Sequence, residues 1–286
     1  MSSKNEHAGI SSILIATDGS THAKAAVEYG AWLAARTRAS VTTMHVIDAR
    51  RLAGHFVRHF SEIIGSTPTP AILERLKEYY HAYGRAVLES AAVICESYKV
   101  WCAQELETGN VVKILAERSK SVDLLVMGQH GEDEERETGF LGSVAEKVVH
   151  KAERPVLLAQ PPFRKFRRAL LAYDGSAAAQ RAMKSLARLA VALDIEEVVA
   201  VELVEPSEPL AALREVPRYF KQFPVHVSTR YLTGDSLSVI LDYVRDRNCD
   251  LMAIGAYADQ TAEKLGLGST TEYLMRESTV PVLVHH

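Results

Sequence analysis

The chain carries one pattern twice, and that repetition limits its fold more than any other feature. A short apolar run at residues 13–16 (ILIA) halts at Thr17-Asp18-Gly19-Ser20, and residues 168–172 (RALLA) run into Tyr173-Asp174-Gly175-Ser176. Residues 123–128 (DLLVMG) return as 250–255 (DLMAIG), and Thr108-Gly109-Asn110 returns as Thr233-Gly234-Asp235. Gly142-Ser143 comes back as Gly268-Ser269, and 154–158 (RPVLL) as 280–284 (VPVLV). Landmarks repeated in the same order over a domain-sized span mean one unit duplicated. A chain of 286 residues has room for two such units, each with its own core. The joint falls at Gln160-Pro161-Pro162-Phe163-Arg164-Lys165, which sets the expected domains at 1–160 and 161–286. Its two prolines bar helix and make a stiff connection rather than a loose tether.

Within the unit, apolar runs of strand length alternate with helical patterns. Strands are expected at 13–16, 41–47, 100–106, from Leu124, and from Pro155. Helices are expected at 21–38, with Ala25, Ala26, Tyr29, Trp32 and Leu33 on one face, at 72–97, at 110–119, and after Gly142-Ser143. Such alternation builds a parallel sheet covered on both faces. The fold class is therefore α/β, two tandem open-sheet domains. Far fewer residues separate Asp174 from Gly234 than separate Asp18 from Gly109. The second copy has lost its long helix, and residues 206–223 hold only a short one.

The stretch with the most chemistry lies between the fourth strand and the helix after it. Gly128, Gly131, Gly139 and Gly142 punctuate this loop, which delivers the chain to a helix N-terminus. Glycine allows close backbone approach, and a helix N-terminus offers unpaired N–H groups and a positive dipole end, so together they could hold a phosphate. A plainer reading covers part of it. Residues 143–146 (SVAE) form a capping box, which accounts for Ser143 and Glu146 without a ligand but leaves Gly128 and Gly131. Asp18 taken alone reads as a turn former ahead of Gly19, and its recurrence as Asp174 points towards a site.

With these residues in view, the sequence resembles a tandem universal stress protein. The resemblance rests on Asp18 after the first strand, His45-Val46 closing the second, and a phosphate loop of the form G-2x-G-9x-G-[ST], here Gly128, Gly131 and Gly142-Ser143. It implies a five-stranded, mainly parallel sheet with helices on both faces in each domain. It also implies an adenine nucleotide (ATP, ADP or AMP), with or without Mg2+, bound beyond the carboxyl ends of the strands. The implied binding residues are Thr17, Asp18, Val46, Gly128, His130, Gly131, Gly142, Ser143 and Val144, with Asp18 and Val46 at adenine and ribose and the loop at the phosphates. No catalytic residue is assigned, and ATP hydrolysis would be slow at most. The fifth strands are implied to pair between the domains, giving an internal pseudo-dimer, with a homodimer of whole chains also open.

Two departures stand out. Ten residues separate Gly131 from Gly142, which calls for a bulge near Gly139, and they begin Glu132-Asp133-Glu134-Glu135, an acidic run that must turn outward or recruit a cation. In the second copy Ala258 replaces the second glycine, so the counterpart site of Asp174, Leu203, Gly255, Gly268 and Ser269 reads as degenerate.

The remaining signals narrow the field. A net charge of -3 speaks against a nucleic-acid surface, and three cysteines without a CxxC speak against a disulfide framework or zinc knuckle. Neither an apolar leader nor a run of membrane-spanning length is evident, so a cytoplasmic protein without membrane insertion is expected. His55, His59 and Glu62 have helical spacing suited to a metal but read as a solvated face, and the basic cluster at Arg164-Lys165 and Arg167-Arg168 reads as linker. Two functions remain. One is a stress-response protein that senses or stores adenine nucleotide in its first domain. The other is a tandem protein that binds a small apolar or lipid-like ligand, or a protein partner, in place of ATP.

Overall fold

The computed structural model describes residues 9–52, 69–131, 142–204, 212–234, 237–256 and 270–286. The first half runs β1 (Ser12–Ala16), α1 (Thr21–Thr37), β2 (Ser40–Asp48), a single helical turn (Ala49–Leu52), α2 (Pro70–Ser97) and β3 (Cys102–Gly109). It continues with α3 (Val111–Ser119), β4 (Leu124–Gly128), α4 (Ser143–Lys151) and β5 (Val156–Ala159). The second half repeats the order with β6 (Arg168–Ala172), α5 (Ala177–Leu193), β7 (Glu197–Val204) and β8 (His226–Thr233). It ends with α7 (Ser238–Asp246), β9 (Leu251–Gly255), α8 (Thr270–Glu277) and β10 (Val282–His285). Between β7 and β8, where the first half has its long α2, the described residues hold only a 3-10 turn (Ala212–Arg214) and the short α6 (Glu215–Phe220). The shortening read from the spacing is therefore a lost helix.

The ten strands among the described residues form one sheet in the order β3-β2-β1-β4-β5-β10-β9-β6-β7-β8. Each half contributes five parallel strands. The halves meet at β5 and β10, which run antiparallel with Leu157 opposite Leu283. The β1 run shows why the sheet needs two covers. Ile13 and Ile15 face the core shared with α1, while Leu14 and Ala16 face the core beneath α3 and α4. A strand buried on both faces reads as a continuous apolar run, which is how ILIA reads.

The start of α1 is set locally. Asp18 Oδ1 accepts from Ser20 N at 3.0 Å, Gly19 takes φ +88°, and the Ser20 side chain accepts from Ala23 N at 3.1 Å. The same device opens α5: Asp174 Oδ1 accepts from Ser176 N at 2.9 Å, Gly175 has φ +79°, and Ser176 caps Ala179 N at 3.1 Å. The repeated Asp-Gly-Ser is thus a turn and helix cap in both halves, so recurrence alone does not make Asp174 a ligand residue.

The joint packs tightly against α1. Phe166 stacks on Tyr29 with ring centres 5.2 Å apart, and Phe163 meets the edge of Trp32 at 5.6 Å. The Tyr29 hydroxyl accepts from Arg164 N at 3.0 Å, and burial pushes its pKa up to about 12. Among the described residues no helix is long and apolar enough to cross a membrane.

Candidate functional site

A cleft of about 210 Å³ opens at the carboxyl ends of β1, β2 and β4. Open α/β sheets hold ligands at this end, where neighbouring connections leave to opposite faces. One wall is apolar, made by Ala16, Met44, Ile47, Val111, Leu115 and Met127. Thr17, Asp18, Val46, Gly128, His130, Gly131, Ser143 and Val144, all expected at the site, also line the cleft. Gly142, also expected there, does not line the cleft and is the residue preceding α4.

Local contacts hold several residues at the cleft. His45 Nδ1 lies 2.8 Å from the Thr17 carbonyl, which can only accept, so Nδ1 carries the proton. Tyr83 of α2 donates its hydroxyl to the Asp18 carbonyl at 3.2 Å. Arg50 grips Asp48 through Nε at 2.9 and 3.0 Å, and these hydrogen bonds hold its guanidinium more firmly protonated. The rings of His22, in the first turn of α1, and His130 meet edge to face at 4.8 Å.

The helix start after the loop differs from its expected form. Ser143 is the first residue of α4 and Gly142 is its N-cap, with no side-chain cap bond, so the capping box read at 143–146 does not form. Gly142 has an extended ψ of 127° and starts the helix one residue before the serine would, leaving the hydroxyl on the cleft rim. The Gly142 amide donates to the Gln129 carbonyl at 3.1 Å, so it closes the loop on itself. Gly128 is small for a structural reason. A Cβ there would lie 2.8 Å from His22 Cβ and 3.0 Å from Ala23 N, where β4 passes under the start of α1.

Sequence reasoning missed the contribution of α2. Tyr80 and Tyr83 both line the cleft. The signal was Gly84, a glycine inside a helix: a Cβ there would come within 2.6 Å of Leu106 Cδ1 and 2.8 Å of His45 Cδ2. Such a glycine marks close approach of a helix to its sheet.

In the second half, Asp174 is exposed in its turn and Leu203 is partly buried on β7. Buried Tyr173 stands where Thr17 stands in the first half. Gly255 repeats the packing role of Gly128, since a Cβ there would lie 2.5 Å from Ala179 N. Thr271 ties α8 to β9 by donating to the Gly255 carbonyl at 2.9 Å. Gly268 and Ser269 lie outside the described residues, as do Ala258, Gly139, the acidic run at 132–135, and His55, His59 and Glu62. Among the described residues no group of three or more His, Cys, Asp or Glu could hold a metal ion.

Comparison with known proteins agrees with the duplicated architecture. A universal stress protein of Synechocystis sp. is 25% identical over 281 residues, spanning 95% of this chain and 98% of that protein. One from Methanocaldococcus jannaschii is 29% identical over 153 residues, 52% of this chain and 82% of that protein. The crystal structure of a universal stress protein from Archaeoglobus fulgidus has the same fold, with a TM-score of 0.74 at 21% identity over 96% of this chain and 95% of that one. The model of the universal stress protein family matches residues 9–160 and again 165–286, one match on each side of the proline joint. The chain belongs to the universal stress protein family and carries its domain in tandem.

Proposed function

We propose that the first half binds one adenine nucleotide in the cleft above β1, β2 and β4, and that the chain acts as a nucleotide sensor or regulator in a cytosolic stress response. The observation that carries this reading is the meeting of Asp18, Val46, Gly128, Gly131 and Ser143 around a single cavity. These residues come from three strand ends and a helix start, and they face an apolar wall suited to a planar base. The base would lie against Met127, Val111 and Leu115, beside the Val46 backbone. The phosphates would lie towards Gly131, His130 and the start of α4, where the helix dipole favours negative charge. A Mg2+ ion would arrive with the phosphates and be held mainly by them. Three buried free thiols suit a reducing compartment.

Equilibrium titration of the intact chain with ATP tests the assignment. One site per chain is expected, and a stoichiometry of two, or no binding, overturns it. Gly131→Val should abolish binding and leave the thermal unfolding midpoint in place.

The apolar wall also suits a small apolar ligand in place of a nucleotide. Mass spectrometry of ligand released from purified protein separates the two readings.

A further inference from the structure

We propose that Gln129 is a positioning residue through which the second half of the chain sets the nucleotide cleft of the first, so that nucleotide bound there is felt at the end of α8. The inference rests on the nucleotide reading of the cleft and adds its regulation.

Gln129 is fully buried, with 0% exposure, and lines the cleft between Gly128 and His130. Its backbone holds the loop. Gln129 N donates to the Ala159 carbonyl at 3.2 Å, and the Gln129 carbonyl accepts from Gly142 N at 3.1 Å. That second bond closes the mouth of the loop at the residue before α4. The side chain, by contrast, leaves the first half. Its Nε2 donates to the Met275 carbonyl and, at 3.1 Å, to the Arg276 carbonyl. Both carbonyls belong to the last turn of α8, where C=O groups have no partner within the helix. Oε1 of Gln129 accepts from Gln160 Nε2, and the same Gln160 amide donates to the Ser278 carbonyl at 2.9 Å.

One buried amide therefore bonds the cleft loop and the second half together. A shift of the loop at Gln129 must either carry the end of α8 with it or leave buried carbonyls without donors, and leaving them so is costly away from water. A polyanion drawn to the loop competes for the amides around Gln129, including that of Gly142, and so presses on this junction.

The link runs one way. Ala256 follows Gly255 as Gln129 follows Gly128, and its N donates to the His285 carbonyl at 3.0 Å just as Gln129 N does to Ala159. Alanine has no side-chain donor, so position 256 makes no matching bond into α4. The same backbone position thus accepts a methyl group, and a Gln129→Ala chain should fold.

Hydrogen–deuterium exchange on the full chain, with and without saturating ATP, is the test. In the native chain ATP should slow exchange at residues 128–131 and 143–149, and also at 274–278. In Gln129→Ala the first effect should persist and the second vanish, with affinity lower by about five- to tenfold, the low end of couplings between sites. Gln129→Met, close to the same shape and without any side-chain donor, should behave alike. Native chain that binds ATP with no response at 274–278, or an equal response in both variants, overturns the coupling and leaves the nucleotide reading intact. Native chain that binds no ATP removes the nucleotide reading, and this inference falls with it.

Discussion

Gly128 and Gly255 separate two reasons for a glycine that look the same in a sequence. Both end a central strand, and both sit where an added Cβ would strike the first turn of a helix, at Ala23 N and Ala179 N respectively. Gly255 lies away from the first-half cleft, so a substitution there isolates the packing role. Gly255→Ala should lower stability by about 1–3 kcal/mol, the usual cost of overpacking a filled core. Urea unfolding monitored by circular dichroism would read this as a lower midpoint with an unchanged slope. A neutral result would mean that β9 and α5 can separate freely. The same residues mark the limits of the sequence. Ser-x-x-Glu at 143–146 reads as a capping box because the letters fit, but the pattern does not say which residue takes the non-helical conformation. Gly142 takes it, and Ser143 becomes the first helical residue. The repeated Asp-Gly-Ser was legible as a turn and, through its recurrence, as a site; its bonds to Ser20 and Ser176 account for the turn in both halves.

Among the elements, α1 was the most legible, because its buried face of Ala25, Ala26, Tyr29, Trp32 and Leu33 repeats with helical period. What that face packs against could not be read locally. Part of it meets the joint, 135 positions further along the chain, where the Tyr29 hydroxyl accepts from Arg164 N. The reach of α2 over the cleft was hidden for the same reason, since Tyr83 meets His45 of β2 from far along the chain. The clasp at Tyr29 predicts a response to alkaline pH. Burial raises its pKa from 10.0 to about 12, so the unfolded chain releases this proton more readily than the folded one. The sign follows from linkage: stability from this group is complete below the unfolded value and is lost as pH rises through that window. Tyr29→Phe should remove this part of the alkaline loss. At neutral pH it should cost about 0.5–1.5 kcal/mol, the net worth of one hydrogen bond. Unfolding free energies of the two proteins from pH 8 to 12 would show converging curves; parallel curves would refute the assignment.

For the whole molecule, duplication was legible and the resulting single sheet was implied only through the family resemblance. No local signal in VLLA or VLVH states that the two strands pair, because both read simply as buried strands. Their antiparallel register, Val156 opposite Val284 and Leu158 opposite Val282, turns two five-stranded sheets into one of ten. Residues 1–160 produced alone would leave β5 as an unpaired apolar edge, and such edges seek partners. Analytical ultracentrifugation of that fragment should show self-association that grows with protein concentration. A fragment that stays monomeric at all concentrations would show that β5 needs no neighbour.

The intact chain escapes that dependence. Because the seam joins two stretches of a single polypeptide, the pairing is settled when the protein is made and survives any dilution. The amount present in a cell then sets how many such clefts exist, without altering how each one is built.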